Sequence, residues 1–496
     1  MGCDSVERNR QELGRLDGEI KLFLKGYQQN RNVASNQRRL LILFPGGMGS
    51  ALQRATTPCN ATIAAPSFGW DSFWLTLDVL FGHAVDHLTM TGDDDDQGQF
   101  LVPHGPIQSC LISPYDGFSA WCSSMQLDLF VFGYDWRRKP EHSVRFFLDD
   151  FFPYFLGRIA AENLRAPNDI TLIGHSEGGM IVKLIAQDSS PVVANFTRFV
   201  TVGTPFYGFG GQTHRYFDGM TTYFPDRKSE ITQIITSLQG GYFLHFLDAG
   251  TYAANQAALA ADPDFPLSDY PSKDADDLTE FADAFLPTDR SGLFRYPQYI
   301  NAARIADGLA TYQNIAKDLP AGIAPKFYSF RGVQTRNGTA RTNTVVSQTW
   351  ARIDRPFDPD EAVFPFAFVG GAGDDTIPAW SARLISHERQ YPDNAITLTG
   401  SLEHITLMEY SATQNQLHQL LFPQDIQPDT QVDEIIPVAS WAEVAGFVKT
   451  LRAERSADRA RSRIRTLSKE DSRRLGYGVM ADLMGRMSPS DGEIHR

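Results

Sequence analysis

Residues 170–186 place a short apolar run, Ile170-Thr171-Leu172-Ile173, ahead of Gly174-His175-Ser176-Glu177-Gly178, and a second apolar run, 180–186, behind it. The first run reads as a buried strand and the second as a helix, so the G-x-S-x-G pattern falls on the sharp turn between them. That context constrains the fold. A serine on such a turn is pushed above the edge of a sheet, with strand and helix passing very close. Side chains at Gly174 and Gly178 would collide there, so glycine is required. The bland reading is a glycine-rich strand-to-helix turn with no chemistry; the two flanking elements favour a serine nucleophile.

The same alternation recurs along the chain. The run 39–44, Arg-Leu-Leu-Ile-Leu-Phe, reads as a buried strand ending in the glycine-rich loop Pro45-Gly46-Gly47-Met48-Gly49-Ser50. A strand over 127–132 runs into Gly133-Tyr134-Asp135-Trp136-Arg137-Arg138. A helix over 142–164 follows, with Phe146, Phe147, Phe151, Phe155 and Ile159 as its apolar stripe. After the serine come strands over 196–202, 326–333, 364–369 and 395–399. Strands alternating with helices predict a mostly parallel sheet wrapped by helices. The organisation expected is a helical segment over 1–37, led by Leu13, Leu16, Ile20 and Leu24 at helical spacing. A first core part follows over 38–208, then an insertion over 209–325, a second core part over 326–430 and a charged helical extension over 431–496. The insertion reads as a cap or lid; a packed subdomain without gating is the alternative. The extension reads as an appendage or a solvated partner-binding tail.

Composition limits the partners. A net charge of -14 argues against nucleic acid, whose phosphates need basic surface. The four cysteines, Cys3, Cys59, Cys110 and Cys122, form no C-x-x-C or Cys/His zinc pattern. His83 and His87 stand at i, i+4 without the glutamate of H-E-x-x-H, and 93–96 is an acidic loop without calcium-site spacing. No metal and no cofactor are therefore expected. No apolar run reaches spanning length, and the polar N-terminus is not a signal peptide, so a soluble, cytoplasmic protein is the default expectation. Met1-Gly2-Cys3 opens like a myristoylation signal, but Val6 stands where Ser or Thr is required. The aromatic run 68–80 reads as core, or as a lipid-facing patch if it lies at the mouth of a site.

A serine hydroxyl needs a histidine base, and the imidazole needs a carboxylate to fix its tautomer. On a parallel sheet these sit on loops after successively later strands, in the order serine, acid, histidine. His404 alone lies just beyond the last strand; His387, His418 and His495 fall in helices or the tail. The acid must end the strand before, in Gly373-Asp374-Asp375-Thr376-Ile377-Pro378. Asp374 is the first choice and Asp375, expected to tie the turn, the second. If both were buried together, like-charge repulsion would drive one neutral. Backbone N–H groups of Gly47 and Glu177 are the candidate oxyanion donors. Met48, Phe206 and Tyr207, on loops flanking the serine, are the candidate substrate contacts.

Taken together, Pro45-Gly46-Gly47-Met48-Gly49-Ser50, residues 70–78, Tyr134-Asp135-Trp136-Arg137, residues 174–179, Gly203-Thr204-Pro205, residues 373–378 and His404 resemble the lecithin:cholesterol acyltransferase-like lipases, in order, over roughly 40–407. That family includes lysosomal phospholipase A2 and the phospholipid:diacylglycerol acyltransferases. The resemblance implies an α/β-hydrolase fold with cap and lid. It also implies acyl-ester cleavage through an acyl-serine, with oxyanion amides at Gly47 and Glu177. Two departures stand out. Glu177 occupies a position where these enzymes carry Leu or Met, and no short disulfide-closed lid is matched.

The expected substrate is thus an acyl ester or lipid, with peripheral contact to a lipid surface and with water or an alcohol as acceptor. A non-lipid ester, polyester, lactone or amide would serve the same residues. A hydrolase-fold binding or effector module without catalysis is the reading from another class.

Overall fold

The computed structural model describes residues 5–29, 38–55, 70–74, 88–90, 101–108, 113–212, 215, 220, 223–224, 226–245, 302–350, 366–424, 436–454, 457–484 and 486. The paired histidines 83 and 87, the acidic loop 93–96, three of the four cysteines and most of the 209–325 insertion lie outside them. Helix α1 (Ser5–Gln29) precedes strand β1 (Arg39–Phe44). Strands β2 (Ser50–Ala55), β3 (Trp70–Trp74) and β4 (Leu101–Pro106) then pair antiparallel in a small sheet of their own. The aromatic run expected as core thus contributes at least one of these strands.

The main sheet begins with α2 (Asp116–Ser124) and β5 (Asp128–Val131) and continues through β6 (Asp169–His175), β7 (Arg198–Val202), β8 (Phe327–Arg336) and a last strand at Ala395–Gly400. Its order is last strand, β8, β7, β6, β1, β5, and all of these neighbours pair in parallel. Strand β9 (Thr339–Ala340) pairs antiparallel with β8 at one end.

Alternation along the strands makes three layers. On β1, Leu40, Ile42 and Phe44 enter one apolar cluster and Leu41 and Leu43 the other. Leu172 and Ile173 on β6, and Phe199 and Val200 on β7, divide the same way. Both faces of the sheet are therefore buried, as parallel sheets require. The first cluster is covered by α1 and by helices α3 (Pro140–Arg145) and α4 (Phe152–Ala161); the second by α2 and by the helix over Ser411–Leu421. This is the α/β-hydrolase architecture. The stretch predicted as one helix over 142–164 is interrupted: Phe146–Phe151 widens into a π turn. Pro153 follows at once. It has no N–H to give to a regular helix, and the wide turn takes up the mismatch. Phe147 and Phe151 are still fully buried.

One expectation is corrected. The strand predicted over 364–369 does not join the parallel sheet. As β11 (Phe366–Gly371) it pairs antiparallel with β10 (Thr344–Trp350). The loop after β11 is instead fastened to the end of β8, where Gln334 N–H donates to Gly373 O at 2.8 Å.

Among the described residues, the charged C-terminal segment is not a solvated tail. It forms α10 (Trp441–Ala453), α11 (Ala457–Arg465) and α12 (Lys469–Leu483), helices numbered after α5 (Glu177–Gln187), α6 (Lys228–Ser237), α7 (Ala302–Ala316), α8 (Ile385–Gln390) and α9 (Ser411–Leu421). The final strand, Ala395–Gly400, is β12. Leu475, Tyr477, Val479, Met480 and Leu483 of α12 are buried in the first cluster. Among the described residues, no helix is long and apolar enough to cross a membrane.

Candidate active site

Ser176 sits between β6 and α5 with φ 54° and ψ -128°, a conformation L-residues avoid. Such strain persists only where the surroundings hold it. Here Ser176 N–H donates to Val202 O at 2.9 Å, tying the turn to the end of β7. The glycines leave no choice of residue. A Cβ on Gly174 would meet the backbone of Gly178 and Gly179 at 2.4 Å, and one on Gly178 would meet Phe44 O at 2.2 Å. Helix, elbow and two strands are thus packed backbone against backbone.

Asp374 and His404 meet at the C-terminal edge of the same sheet. His404 Nδ1 lies 2.8 Å from Asp374 Oδ2, and each side chain is only 1% exposed. Asp374 Oδ1 accepts the N–H groups of Thr376 and Ile377, which aim its other oxygen at the imidazole. His404 N–H in turn donates to Asp374 O at 2.8 Å. Asp375 does something different. Its φ is 77°, its N–H donates to Thr344 Oγ1, and its Oδ1 accepts the His404 N–H and the Thr376 hydroxyl. Burial first, and then the charge of Glu403, hold the Asp375 carboxyl well above the usual range. Arg486 opposes this shift.

The imidazole's free nitrogen, His404 Nε2, is buried and has no hydrogen-bond partner in this structure. His404 Nε2 is thus not hydrogen-bonded to Ser176 Oγ. The elbow and the histidine are adjacent through Gly203, which directly follows Val202: a Cβ there would come within 3.1 Å of both Asp374 Oδ2 and His404 Nδ1.

A second histidine, His175, links the parts. Tyr115 hydroxyl accepts Gly46 N–H at 2.8 Å and lies 3.0 Å from His175 Nδ1, to which it donates when His175 is neutral. His175 Nε2–H then donates to His404 O at 3.0 Å. Burial, and next the proximity of His404, push the proton affinity of His175 well below the usual range. The two rings stack at 4.9 Å. The sequence marked His175 only as the x of a motif, so this bridge was unreadable there.

The glycine-rich loop is a tight turn: Gly49 N–H donates to Gly46 O at 2.8 Å, with Met48 at φ 61°. Tyr134 hydroxyl donates to Pro45 O, and Trp136 Nε1 to Ser50 O, clamping its two ends. Asp135 and Arg137 form a buried two-pronged pair, at 2.9 and 2.8 Å, that stiffens the clamp. The Tyr-Asp-Trp-Arg stretch is thus a brace for the loop carrying Gly47. Glu177 opens α5, so its N–H has no acceptor within the helix.

Ser176 and the glycine-rich loop face a cavity of about 40 Å³ bounded by Gly47, Met48, Ser176, Glu177, Pro205 and Phe209, with Trp136, Gln212, Arg215 and residues of the 235–244 segment completing it; Asp374 and His404 do not line it. Met484, just past α12, closes one side. Phe206 and Tyr207, expected as substrate contacts, do not line it. Phe206 is fully buried in the core, and Tyr207 N–H is held by Ser381 Oγ, so their neighbours Pro205 and Phe209 face the cavity instead. Met48 does line it. Arg215, Gln212 and Met484 are site residues with no sequence signal of their own; only the fold brings them near Ser176. No group of His, Cys, Asp and Glu side chains suited to a metal occurs among the described residues.

No protein-family model and no curated protein matches the chain. Among solved structures, a chain of the Tle4–Tli4 complex aligns at 14% identity and a TM-score of 0.47, over 77% of this chain and 98% of its own. The lin2722 gene product of Listeria innocua aligns at 11% identity and a TM-score of 0.28, over 79% and 96%. Neither likeness bears on chemistry; the α/β-hydrolase architecture stands on the strand order and the three layers.

Proposed function

We propose that this chain is a serine-dependent hydrolase of carboxylic esters, with lipid acyl esters as its substrate class. The observation that carries the reading is the buried Asp374–His404 pair at the same sheet edge as a serine held at φ 54° on the strand-to-helix turn. In this scheme Ser176 Oγ attacks the acyl carbonyl while His404 Nε2 takes its proton. Asp374 keeps the imidazole in the tautomer with its free nitrogen toward the serine. His404 then gives the proton to the departing alcohol, leaving an acyl-serine. Water, or an alcohol in an acyltransferase, enters by the same steps in reverse. Backbone N–H groups of Gly47 and Glu177 stabilise the oxyanion, each donor being worth about 3–4 kcal/mol. The apolar wall of Met48, Trp136, Pro205, Phe209, Leu238, Leu244 and Met484 supports an acyl chain as the group bound there. The resemblance to lecithin:cholesterol acyltransferase-like lipases supports the same class.

A fluorophosphonate probe tests the reading. The wild type is expected to label and Ser176→Ala is not. Absence of labelling in the wild type, together with no release from p-nitrophenyl esters, triglycerides or phospholipids, would reject it.

A further inference from the structure

Glu177 is the group in this site whose side chain the acyl-transfer scheme leaves idle. It directly follows Ser176 and is only 3% exposed. Its Oε1 is buried without a hydrogen-bond partner. Its carboxyl fills the space a side chain on Gly47 would need: a Cβ built there would lie 2.4 Å from Oε2. The carboxyl, the Gly47 loop and Ser176 therefore share one corner of the cavity. A charged carboxylate in that corner would oppose the negative charge that develops on a carbonyl oxygen under attack. A protonated carboxyl does the reverse, because its O–H is a hydrogen-bond donor to that oxygen.

We propose that Glu177 acts as a carboxylic acid, its O–H serving as a third donor to the oxyanion beside the two backbone N–H groups. The proposal rests on the serine-hydrolase reading of this site. In the step concerned, Ser176 Oγ bonds to the carbonyl carbon and the C=O π pair moves to oxygen. The hydroxyl proton goes to His404. The Glu177 proton stays on its carboxyl throughout, shared with the oxyanion and released from it when the tetrahedral species collapses.

The surroundings are consistent with the acid form. Burial is the chief influence on Glu177 and raises its proton affinity well above the usual carboxyl range; Asp135 adds to this and Arg215 opposes it. Tyr134, also within electrostatic reach, is itself held protonated by burial. Asp135 and Tyr134 come from the loop after β5, Arg215 from the segment after β7. His404, the base, comes from the loop after β12.

The test is kcat/KM on p-nitrophenyl butyrate from pH 5 to 10 for the wild type, Glu177→Gln and Glu177→Leu. Thermal unfolding of each variant checks that it is folded, and fluorophosphonate labelling checks Ser176. The wild type is expected to lose activity on the alkaline side as Glu177 ionises. Glu177→Gln, a neutral donor, retains at least about tenfold more activity than Glu177→Leu and loses that alkaline limb. Glu177→Leu, folded and still labelled, falls by about 10²-fold, the loss typical of one oxyanion donor. If Glu177→Leu matches the wild type and shows the same alkaline limb, the proposal is overturned while the hydrolase reading stands. If the wild type neither labels nor turns over at any pH, the hydrolase reading falls, and this proposal with it.

Discussion

Two adjacent aspartates in one turn have opposite tasks, and the difference lies in what each oxygen touches. Asp374 spends one oxygen on the backbone of its own turn and the other on His404 Nδ1. Asp375 spends its oxygen on the His404 backbone N–H and on Thr376, and burial raises its proton affinity well above the usual carboxyl range. Asp374→Asn should therefore misplace the imidazole tautomer and lower kcat by about 10⁴-fold, as loss of a triad carboxylate does. Asp375→Asn keeps the shape and an oxygen for the His404 backbone N–H and should keep most of the activity. Ester hydrolysis by the two purified variants separates them; equal losses would mean that both carboxylates act on the imidazole. At this scale the sequence could be read where a chemical need fixes a position. Glycine at 174 and 178, serine at 176, a histidine beyond the last strand and an acid before it follow from sterics and proton transfer. Phe206 and Tyr207 show the limit: they are the middle residues of a turn closed by Gly208 N–H to Pro205 O at 3.1 Å, and no residue type announces which side chains of a turn face the cavity.

Elements were legible as elements and much less so as partners. The apolar run at Phe366–Gly371 announces a strand, but its choice of β10 rather than the parallel sheet depends on contacts between residues far apart in the chain. The same holds for α12. Its pattern gives a helix, and nothing local says that the helix docks beside His404. The structure shows what holds it there. Glu409, just beyond the histidine turn, accepts Gly117 N–H and Arg473 at 2.7 Å each, and the Tyr477 hydroxyl closely. Arg486 adds an ion pair to Glu403 at 3.6 Å. Arg473 is exposed, so its share of the ion pairing is small. Glu409→Gln puts an amide N–H₂ among three donors and leaves one of them unmet. The expected cost is ~2 kcal/mol in urea unfolding. Amide exchange should rise over 469–483 while the strands stay protected. Unchanged exchange in that helix would mean that its apolar face, and not Glu409, fixes its position.

At the scale of the molecule, the three layers were legible because a parallel sheet buried on both faces leaves a repeated signature, strand after strand. The size of the site was not legible, because it is set by what closes over it. Pockets that take ligands of drug size enclose about 300–1,000 Å³, whereas the space beside Ser176 is about 40 Å³ among the described residues. Met484 is one of the walls responsible: its Cε lies within 2.4 Å of where a Gly46 side chain would begin, so the methionine rests directly on the glycine-rich loop. An acyl chain of any length must displace it or pass around it. Methionine suits such a position, being unbranched and able to repack. Met484→Ala removes the wall without touching Ser176, Asp374 or His404. Its kcat/KM for p-nitrophenyl decanoate should therefore rise severalfold relative to that for p-nitrophenyl acetate. The cost in stability should be that of a truncated buried methionine, about 2–5 kcal/mol. A chain-length preference identical to that of the wild type would show that acyl groups enter from another side, and that the C-terminal helices brace the fold without shaping the site.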